Sequence, residues 1–457
     1  MEKSRDELMG TMPVKQLLLK TALPMMISML VQALYNIVDS VYVSRVSEEA
    51  MSAVSLAFPL QTLMIGVGVG TAVGTNAMLS RHLGERNLDE ANRSANTGLL
   101  LSLLSWLLFA VIGFAFSRLY FTLITDNKTV VDYGTQYCKV CLVLSVGFLI
   151  QNTLERMLPA NGYSKFAMIC QTSGAITNII LDPVFIFGVP ALHIPRLEVL
   201  GAAIATVVGQ FVSAGVALIL VRHKVPQLTL SFDRLKWHTP TVKAIYSIGL
   251  PSIIMQCVSS FMNFGMNKIL VSFEATAITA TAFFGAYYKL QSFIFMPIFG
   301  LNSGMIPIVS YNYGAKKTDR LWETVKFTFA IAIGIMSFGT LIFEIMPGTL
   351  LGIFKASDTM LKIGCRGLRI IAIHFPIAGF CIIAGSVFQA VGNPTHSVIT
   401  SICRQLVVLL PASYFLGKLG GLDAIWWAFP LAEIVSFAFS LIFMISTVKS
   451  VKEKLMS

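Results

Sequence analysis

The sequence predicts an all-α polytopic membrane protein in which twelve transmembrane helices form two six-helix bundles. Hydrophobic residues make up 55% of the chain and charged residues only 12%, a composition too apolar for an ordinary soluble domain. Apolar stretches of about 20 residues or more recur along the whole chain, which is the length that one helix needs to cross a bilayer. Strand-like alternation is absent, so helices are the structure expected to satisfy the backbone in lipid.

The apolar stretches place the spans at 17–43, 52–80, 94–120, 131–158, 164–189, 199–222, 242–271, 277–309, 323–347, 360–390, 395–417 and 422–447. Lysines and arginines gather in alternate loops, as the positive-inside rule requires. The net charge of +11 therefore indicates orientation in a membrane and not nucleic-acid binding. We expect a multi-pass protein of the inner (cytoplasmic) membrane with both termini in the cytoplasm.

The longest polar interruption, 223–240, divides the chain into an N-terminal lobe (1–222) and a C-terminal lobe (241–457). The two halves resemble each other: Pro24 aligns with Pro251, and Gly84 aligns with Gly314. Equal topology in both halves predicts parallel repeats about an axis along the membrane normal, an arrangement found in transporters. We therefore expect two lobes around a central cavity, with a cytoplasmic loop at 223–240 between them.

Two carboxylates lie in apolar surroundings, Asp39 near the end of the first span and Asp182 in the fifth. An isolated charge at membrane depth costs about 2.5 to 3.5 kcal/mol on insertion scales, so such residues are rarely incidental. Asp39 aligns with Met266 in the second half. The carboxylates are therefore expected to serve the N-terminal lobe alone.

Polar side chains accompany both carboxylates. Helical spacing places Gln32, Tyr35 and Asn36 on the face of Asp39, and Asn178 lies one turn before Asp182. Pro183 follows directly and is expected to bend or open its helix; Pro24 and Pro251 are expected to bend theirs. Thr206 in the sixth span adds a hydroxyl.

These oxygen-bearing groups suit either a hard cation such as Na⁺ or a shared proton. A purely structural hydrogen-bond network is the alternative. We expect no cofactor beyond a coupling ion, H⁺ or Na⁺ or both.

With these residues in view, the chain resembles the multidrug and toxic compound extrusion (MATE) transporters over nearly its whole length. The resemblance rests on motifs that occur in the family's order: Leu23-Pro24 and Leu250-Pro251, Tyr35-Asn36-x-x-Asp39, Gly84 and Gly314, Asn178-x-x-x-Asp182-Pro183, and Gly201-Ala-Ala-x-Ala-Thr206. It implies cation-coupled efflux of organic cations and related drugs. It also implies a coupling site at Asp39, Asn178, Asp182 and Thr206, with Gln32 and Tyr35 beside it and Asn152 aligned loosely with the same cluster.

One departure from the family pattern bears on the second lobe. The NorM-like and eukaryotic branches carry a glutamate in the seventh helix, whereas residues 255–260 here contain no acid. The chain therefore resembles the DinF-like or MepA-like bacterial branch. The ionisable candidates of the C-terminal lobe are instead Lys289, Arg404 and Glu433. Arg404 and Glu433 are candidates for a pair across two helices.

These observations predict a secondary active antiporter that exports organic cations or amphiphilic drugs in exchange for protons or Na⁺ by alternating access. The expected partners are small-molecule drugs or organic cations and the lipid bilayer, with no nucleic acid, and the expected state is a monomer. No catalytic Ser/His/Asp set or zinc spacing indicates an enzyme. The alternative is a lipid-linked precursor flippase of the same superfamily, which would present a cationic cavity to its pyrophosphate.

Overall fold

The computed structural model describes residues 9–189, 195–273, 277–354 and 357–456, nearly all of them helical. The N-terminal lobe contains α1 (Val14–Ser44), α2 (Glu48–Gly84), α3 (Leu88–Ile124), α4 (Lys128–Val143), α5 (Val146–Ala160), α6 (Ser164–Phe187) and α7 (Glu198–Lys224). The C-terminal lobe contains α8 (Thr239–Val271), α9 (Ala277–Gly314), α10 (Thr318–Ile345), α11 (Pro347–Gly352), α12 (Asp358–Ala372), α13 (Phe375–Ala390), α14 (Pro394–Ile402), α15 (Leu410–Ile425) and α16 (Ala428–Met456). A π-helical segment, Cys403–Leu409, joins α14 to α15.

Within the described ranges the chain makes twelve membrane crossings, as the sequence predicts. Ten helical segments are each long and apolar enough to span a bilayer, and α4–α5 and α12–α13 form two further spans bent by 44° and 48°. Polar side chains donate to backbone carbonyls at both bends: Ser145 Oγ donates to the Leu142 carbonyl at 2.8 Å and His374 Nδ1 donates to the Ile371 carbonyl at 2.5 Å. Such insertions into the backbone hydrogen-bond ladder are a known cause of kinks.

The last span begins a few residues later than the sequence predicts. A loop was expected at 418–421, but α15 continues to Ile425 and α16 begins at Ala428. Gly421 adopts φ 70° and ψ −164° inside α15, a conformation that glycine takes without steric cost. Gly421 therefore interrupts the helix within the expected interval, and a further turn at Trp426 and Trp427 precedes α16.

Short polar residues begin several of the helices. The side chains of Ser47, Asn87 and Asn127 accept hydrogen bonds from backbone N–H groups in the first turns of α2, α3 and α4. Ser357 does the same for α12. These caps satisfy donors that a helix N-terminus otherwise leaves unpaired.

The internal repeat is visible in the backbone conformation. Gly162 and Gly392 occupy matching turns with φ of 79° and 85°, and Arg86 and Lys316 occupy matching turns with φ of 57° and 55°. Both pairs are separated by the same number of residues. The repeat therefore aligns α6 with α14 in register at their starts.

The connection between the lobes is held on the N-terminal lobe. Asn92 of α3 donates to the Gln227 carbonyl at 3.1 Å and accepts from the Thr229 N–H at 2.7 Å. One turn later, Asn96 donates to the Thr229 carbonyl at 3.0 Å. The segment between α7 and α8 is thereby tethered along α3.

The lobes approach each other most closely at one end, called the basic end here, where α2 and α9 finish beside Arg86 and Lys316. A Cβ atom on Gly84 would lie 2.0 Å from the Tyr311 carbonyl oxygen, and one on Gly314 would lie 2.2 Å from that of Arg81. Further along, a Cβ atom on Gly70 would lie 2.6 Å from the Gly249 carbonyl oxygen. Small residues at such positions let helix backbones touch.

Candidate functional site

The two aspartates of the N-terminal lobe meet between α1 and α6. Both lie near the C-terminal ends of their helices, and their carboxyl groups are close enough to interact with each other. Asp182 is completely buried and Asp39 is partly buried. Two ionised carboxylates only accept hydrogen bonds and repel each other, so a proton or a cation between them would stabilise this arrangement.

Asn178 and Thr206 complete the cluster. The Asn178 amide Nδ2 donates to Asp182 Oδ1 at 3.2 Å and to Thr206 Oγ1 at 3.4 Å. Asn178 lies one helical turn before Asp182, and α7 brings Thr206 alongside. The close approach of α6 to α7 depends on Gly174 and Gly209, since a Cβ on Gly174 would lie 2.8 Å from the Gly209 carbonyl oxygen.

Three acceptor oxygens in this cluster are buried and receive no hydrogen bond from the described residues: Asp39 Oδ1, Asp182 Oδ2 and Asn178 Oδ1. Leaving such atoms unpaired in an apolar environment costs free energy. Oxygen atoms without hydrogens are the ligands that hard cations prefer. The donor set therefore fits either a small hard cation or a proton held between the carboxyl groups.

A cavity of about 60 Å³ opens beside the cluster, and Asn178 and Thr206 belong to its lining. Gln32 and Tyr35 of α1 line it too, as do Gln151, Gln171 and Gln210. A hydrogen-bond chain runs from the Ser28 hydroxyl to Gln171 and from the Gln171 amide to Gln32. Several amide and hydroxyl groups thus reach this cavity, although it lies among membrane-spanning helices.

Two of the predicted companions lie apart from this cavity. Asn152 donates its amide to the Phe148 carbonyl at 3.0 Å, and the neighbouring Gln151 lines the cavity instead. Asn36 is exposed on α1. Pro24, Pro183 and Pro251 each lie inside a helix that continues past them.

Sequence reasoning overlooked an ionisable pair on α5. Glu155 is buried and accepts from the Gln151 amide at 3.3 Å, and Arg156 donates to Ser303 of the other lobe at 2.9 Å. The signal was present, because Glu155 and Arg156 are adjacent charges inside a predicted span.

In the C-terminal lobe the structure joins Arg404 to Glu433. Arg404 Nη1 lies 3.4 Å from each carboxylate oxygen of Glu433. Lys289 is exposed and has no part in this pair.

The acidic cluster lies far from the basic end, because α1 and α6 both run away from it and carry Asp39 and Asp182 near their far ends. The close glycine contacts between the lobes lie in the other half of the molecule. Ser303 and the N-terminal segment add to them: Lys317 Nζ bonds the Gly10 carbonyl at 2.9 Å and Arg320 Nη2 bonds the Met12 carbonyl at 2.7 Å. The lobes are therefore fastened together on the side opposite to the cluster.

Comparisons with known proteins show which family this chain is similar to. A model of the MatE family matches residues 24–184 and 251–415. A protein named FAD transporter from Shewanella oneidensis is 24% identical over 438 residues, which cover 95% of this chain and 94% of that protein. Multidrug export protein MepA from Staphylococcus haemolyticus is 25% identical over 430 residues, covering 94% and 92% of the two chains.

A solved structure shows the same fold. The crystal structure of a MATE protein in complex with MaL6 superposes with a TM-score of 0.91 at 23% identity, covering 99% of this chain and all of that one. Its fold is the twelve-helix, two-lobe architecture described above. Because the family model matches well over half of the chain, with one segment in each lobe, the chain belongs to the MatE family of membrane transporters.

Proposed function

We propose that the protein is a secondary active antiporter that exports amphiphilic molecules, organic cations among them, in exchange for H⁺ or Na⁺ bound at Asp39 and Asp182. The observation that carries this proposal is the cluster of three unpaired acceptor oxygens on Asp39, Asp182 and Asn178. An ion or proton there removes the cost of the buried charges.

Exchange requires that ion and cargo favour different conformations, since a ligand shifts an equilibrium only by its differential affinity for the two states. The ion joins α1 to α6 by bridging Asp39 and Asp182. Gln32 and Tyr35 are on the same helix, α1, and line the adjacent cavity. Ion binding therefore draws α1 against α6 and changes the shape of the cavity, so that cargo is released as the ion binds.

Orientation follows from the basic residues. With the basic end in the cytoplasm, as the positive-inside rule requires, the lobes are fastened on the cytoplasmic side and the acidic cluster lies toward the outside. We propose this orientation in the inner membrane, with both termini cytoplasmic. An inward ion gradient would then load the site from outside.

The proposed class of cargo is suggested by the names of the two relatives. One is named as a multidrug exporter and the other as an FAD transporter, and many drugs and FAD share aromatic rings beside polar groups. We propose small amphiphilic aromatic molecules as cargo, carried by a monomer.

The test uses everted membrane vesicles, ethidium as cargo and a pH or Na⁺ gradient imposed separately. We expect ethidium uptake under at least one gradient and a loss of tenfold or more in both Asp39→Asn and Asp182→Asn. Asp132→Asn is the matched control, since Asp132 is an exposed acid of the same lobe, 3.8 Å from Arg118. Uptake that ignores both gradients, or that survives in both site variants, would contradict the proposal.

A further inference from the structure

Arg404 and Glu433 form an ion pair inside the C-terminal lobe that the proposed coupling mechanism does not use. The Glu433 side chain is only 4% exposed, whereas that of Arg404 is 23% exposed. A charged side chain exposed to lipid at membrane depth is costly. We therefore expect the exposed part of Arg404 to face the cleft between the lobes and not the lipid.

The internal repeat identifies the residue of the N-terminal lobe that corresponds to Arg404. Gly162 and Gly392 mark matching turns just before α6 and α14, so Arg404 corresponds to Gly174. Gly174 lines the cavity of the N-terminal lobe and packs against the backbone of Gly209. The N-terminal lobe thus has a glycine beside its acidic cluster, whereas the C-terminal lobe has the cationic side chain of Arg404 at the corresponding position.

Arg404 lies in a segment of unusual helical backbone. Arg404 is the second residue of the π-helical segment Cys403–Leu409. Single π-turns within α-helices are rare and are found frequently at functional sites, because the extra residue redirects the side chains that follow.

The guanidinium is only partly engaged by its partner. Both contacts to Glu433 use Nη1 and both are long, at 3.4 Å. Within the described part of the chain no hydrogen bond joins Nε or Nη2. A guanidinium presents five donors in a planar fork that matches carboxylate and phosphate groups, so most of its binding capacity remains available.

Aromatic side chains surround the pair. Tyr288 lies close to Asn263 and to Arg404. Tyr287 is buried near both charges, and its hydroxyl has no partner among the described residues. The rings of Phe284 and Tyr288 pack edge to face with centroids 5.3 Å apart. Tyr288 is the partly exposed ring of this group and would offer an aromatic ligand a stacking surface beside the cation, whereas Phe284 and Tyr287 are buried behind it.

We propose that Arg404 forms a subsite for the carboxylate or phosphate group of an aromatic substrate, with Glu433 as the internal anion that the substrate displaces. The subsite rests on the proposed transport function, because it names a class of cargo for the same cleft. A cargo carrying both signs of charge would then meet acids in one lobe and an arginine in the other.

A purely structural role is the competing explanation, since buried ion pairs occur without any ligand. The two explanations differ in what removal of Glu433 does. In a structural pair, Glu433→Gln only weakens the fold. In a binding subsite, the same change frees the guanidinium and strengthens the binding of an anion.

The test measures equilibrium binding of FMN and riboflavin to the purified protein in phosphatidylcholine nanodiscs by flavin fluorescence, with no ion gradient. The two probes share their ring system and sugar chain, and only FMN carries a phosphate. We expect the wild type to bind FMN at least tenfold more tightly than riboflavin. We expect this preference to fall below twofold in Arg404→Gln and to rise at least threefold in Glu433→Gln.

The double variant Arg404→Gln/Glu433→Gln leaves no buried charge unpaired and keeps the test open if a single variant fails to fold; it should show no preference. Arg369→Gln, at an exposed arginine of the same lobe that bonds the Glu344 carbonyl, is the control and should keep the preference. Equal binding of both flavins by the wild type, or a preference that survives in the double variant, would overturn the subsite. Asp39→Asn should lose coupled transport but keep the FMN preference, so failure of the coupling site and failure of the subsite are distinguishable.

Discussion

At the scale of single residues, the N-terminal lobe places several acceptors together without enough donors. Asn178 supplies its amide hydrogens to Asp182 and Thr206, and its own carbonyl oxygen stays unpaired. This imbalance is costly in an apolar interior unless a positive charge is present. It is the physical reason for assigning an ion or proton to the site.

Asn178→Ala removes the donor to Asp182 and one candidate ion ligand together. A hydrogen bond to a charged group is worth about 1.5 to 3 kcal/mol. If Na⁺ is the coupling ion, loss of the Asn178 oxygen should raise the half-saturating Na⁺ concentration by about tenfold or more. If H⁺ is the coupling ion, loss of the donor that stabilises the ionised Asp182 should lower the half-saturating H⁺ concentration by a similar factor. The measurement is ethidium transport at graded ion concentrations. Asn152→Ala is the control, because Asn152 bonds the Phe148 carbonyl of its own helix; similar shifts in both variants would contradict the assignment.

Which residues meet at the site was only partly predictable. Spacing within α1 and α6 was enough to group Asp39 with Tyr35 and Asp182 with Asn178, and the structure brings these helices together. Gln171 and Gln210 were not foreseen, because a lone glutamine in an apolar helix gives no sign of the face on which it lies. Their roles, like those of the predicted ligands, stay predictions.

At the scale of helices, α2 and α9 fasten the two lobes through glycines at the basic end. Backbone contact at Gly84 and Gly314 leaves no room for a methyl group. Alternating access requires this contact to open when the cleft opens to the other side. We therefore expect the packing of these helices to set the balance between the two proposed conformations.

Gly84→Ala should shift that balance by separating the lobes at the basic end, since the added Cβ would lie 2.0 Å from the Tyr311 carbonyl oxygen. The distance between spin labels at Asp89→Cys and Asp319→Cys, on α3 and α10, measures the separation once the native cysteines are replaced. We expect it to increase by several ångströms.

Gly334→Ala is the control for that experiment, because a Cβ on Gly334 would meet no atom within 4 Å. An unchanged distance in Gly84→Ala, or an equal change in both variants, would show that the glycine contact does not control closure.

The number of spans was predictable, because the length of each hydrophobic stretch is enough to recognise a span. Helix shape was less so. The bends at Ser145 and His374 depend on side chains that hydrogen-bond to the backbone of their own span. The sequence does not predict this, because a serine or histidine in a helix can also bond to other partners. Gly420 and Gly421 resembled a loop in sequence, yet only Gly421 leaves the helical conformation.

At the scale of the whole molecule, a nearly symmetric scaffold carries asymmetric chemistry. Matching turns at Gly162 and Gly392 show the repeat, while Asp39 and Asp182 belong to one lobe and the Arg404–Glu433 pair belongs to the other. Sequence alignment of the halves revealed the missing acids of the second lobe. It did not reveal that Arg404 and Glu433 touch, since contact between α16 and the π-helical segment depends on tertiary packing.

The central claim is that cargo and ion move in opposite directions through the site at Asp39 and Asp182. It is tested most directly in proteoliposomes with internal pH and Na⁺ indicators, where an ethidium gradient is the only driving force. The account predicts that ethidium movement drives H⁺ or Na⁺ the opposite way, and that Asp39→Asn abolishes this ion movement. Ethidium transport without movement of either ion, or ion movement that persists in Asp39→Asn, would contradict it.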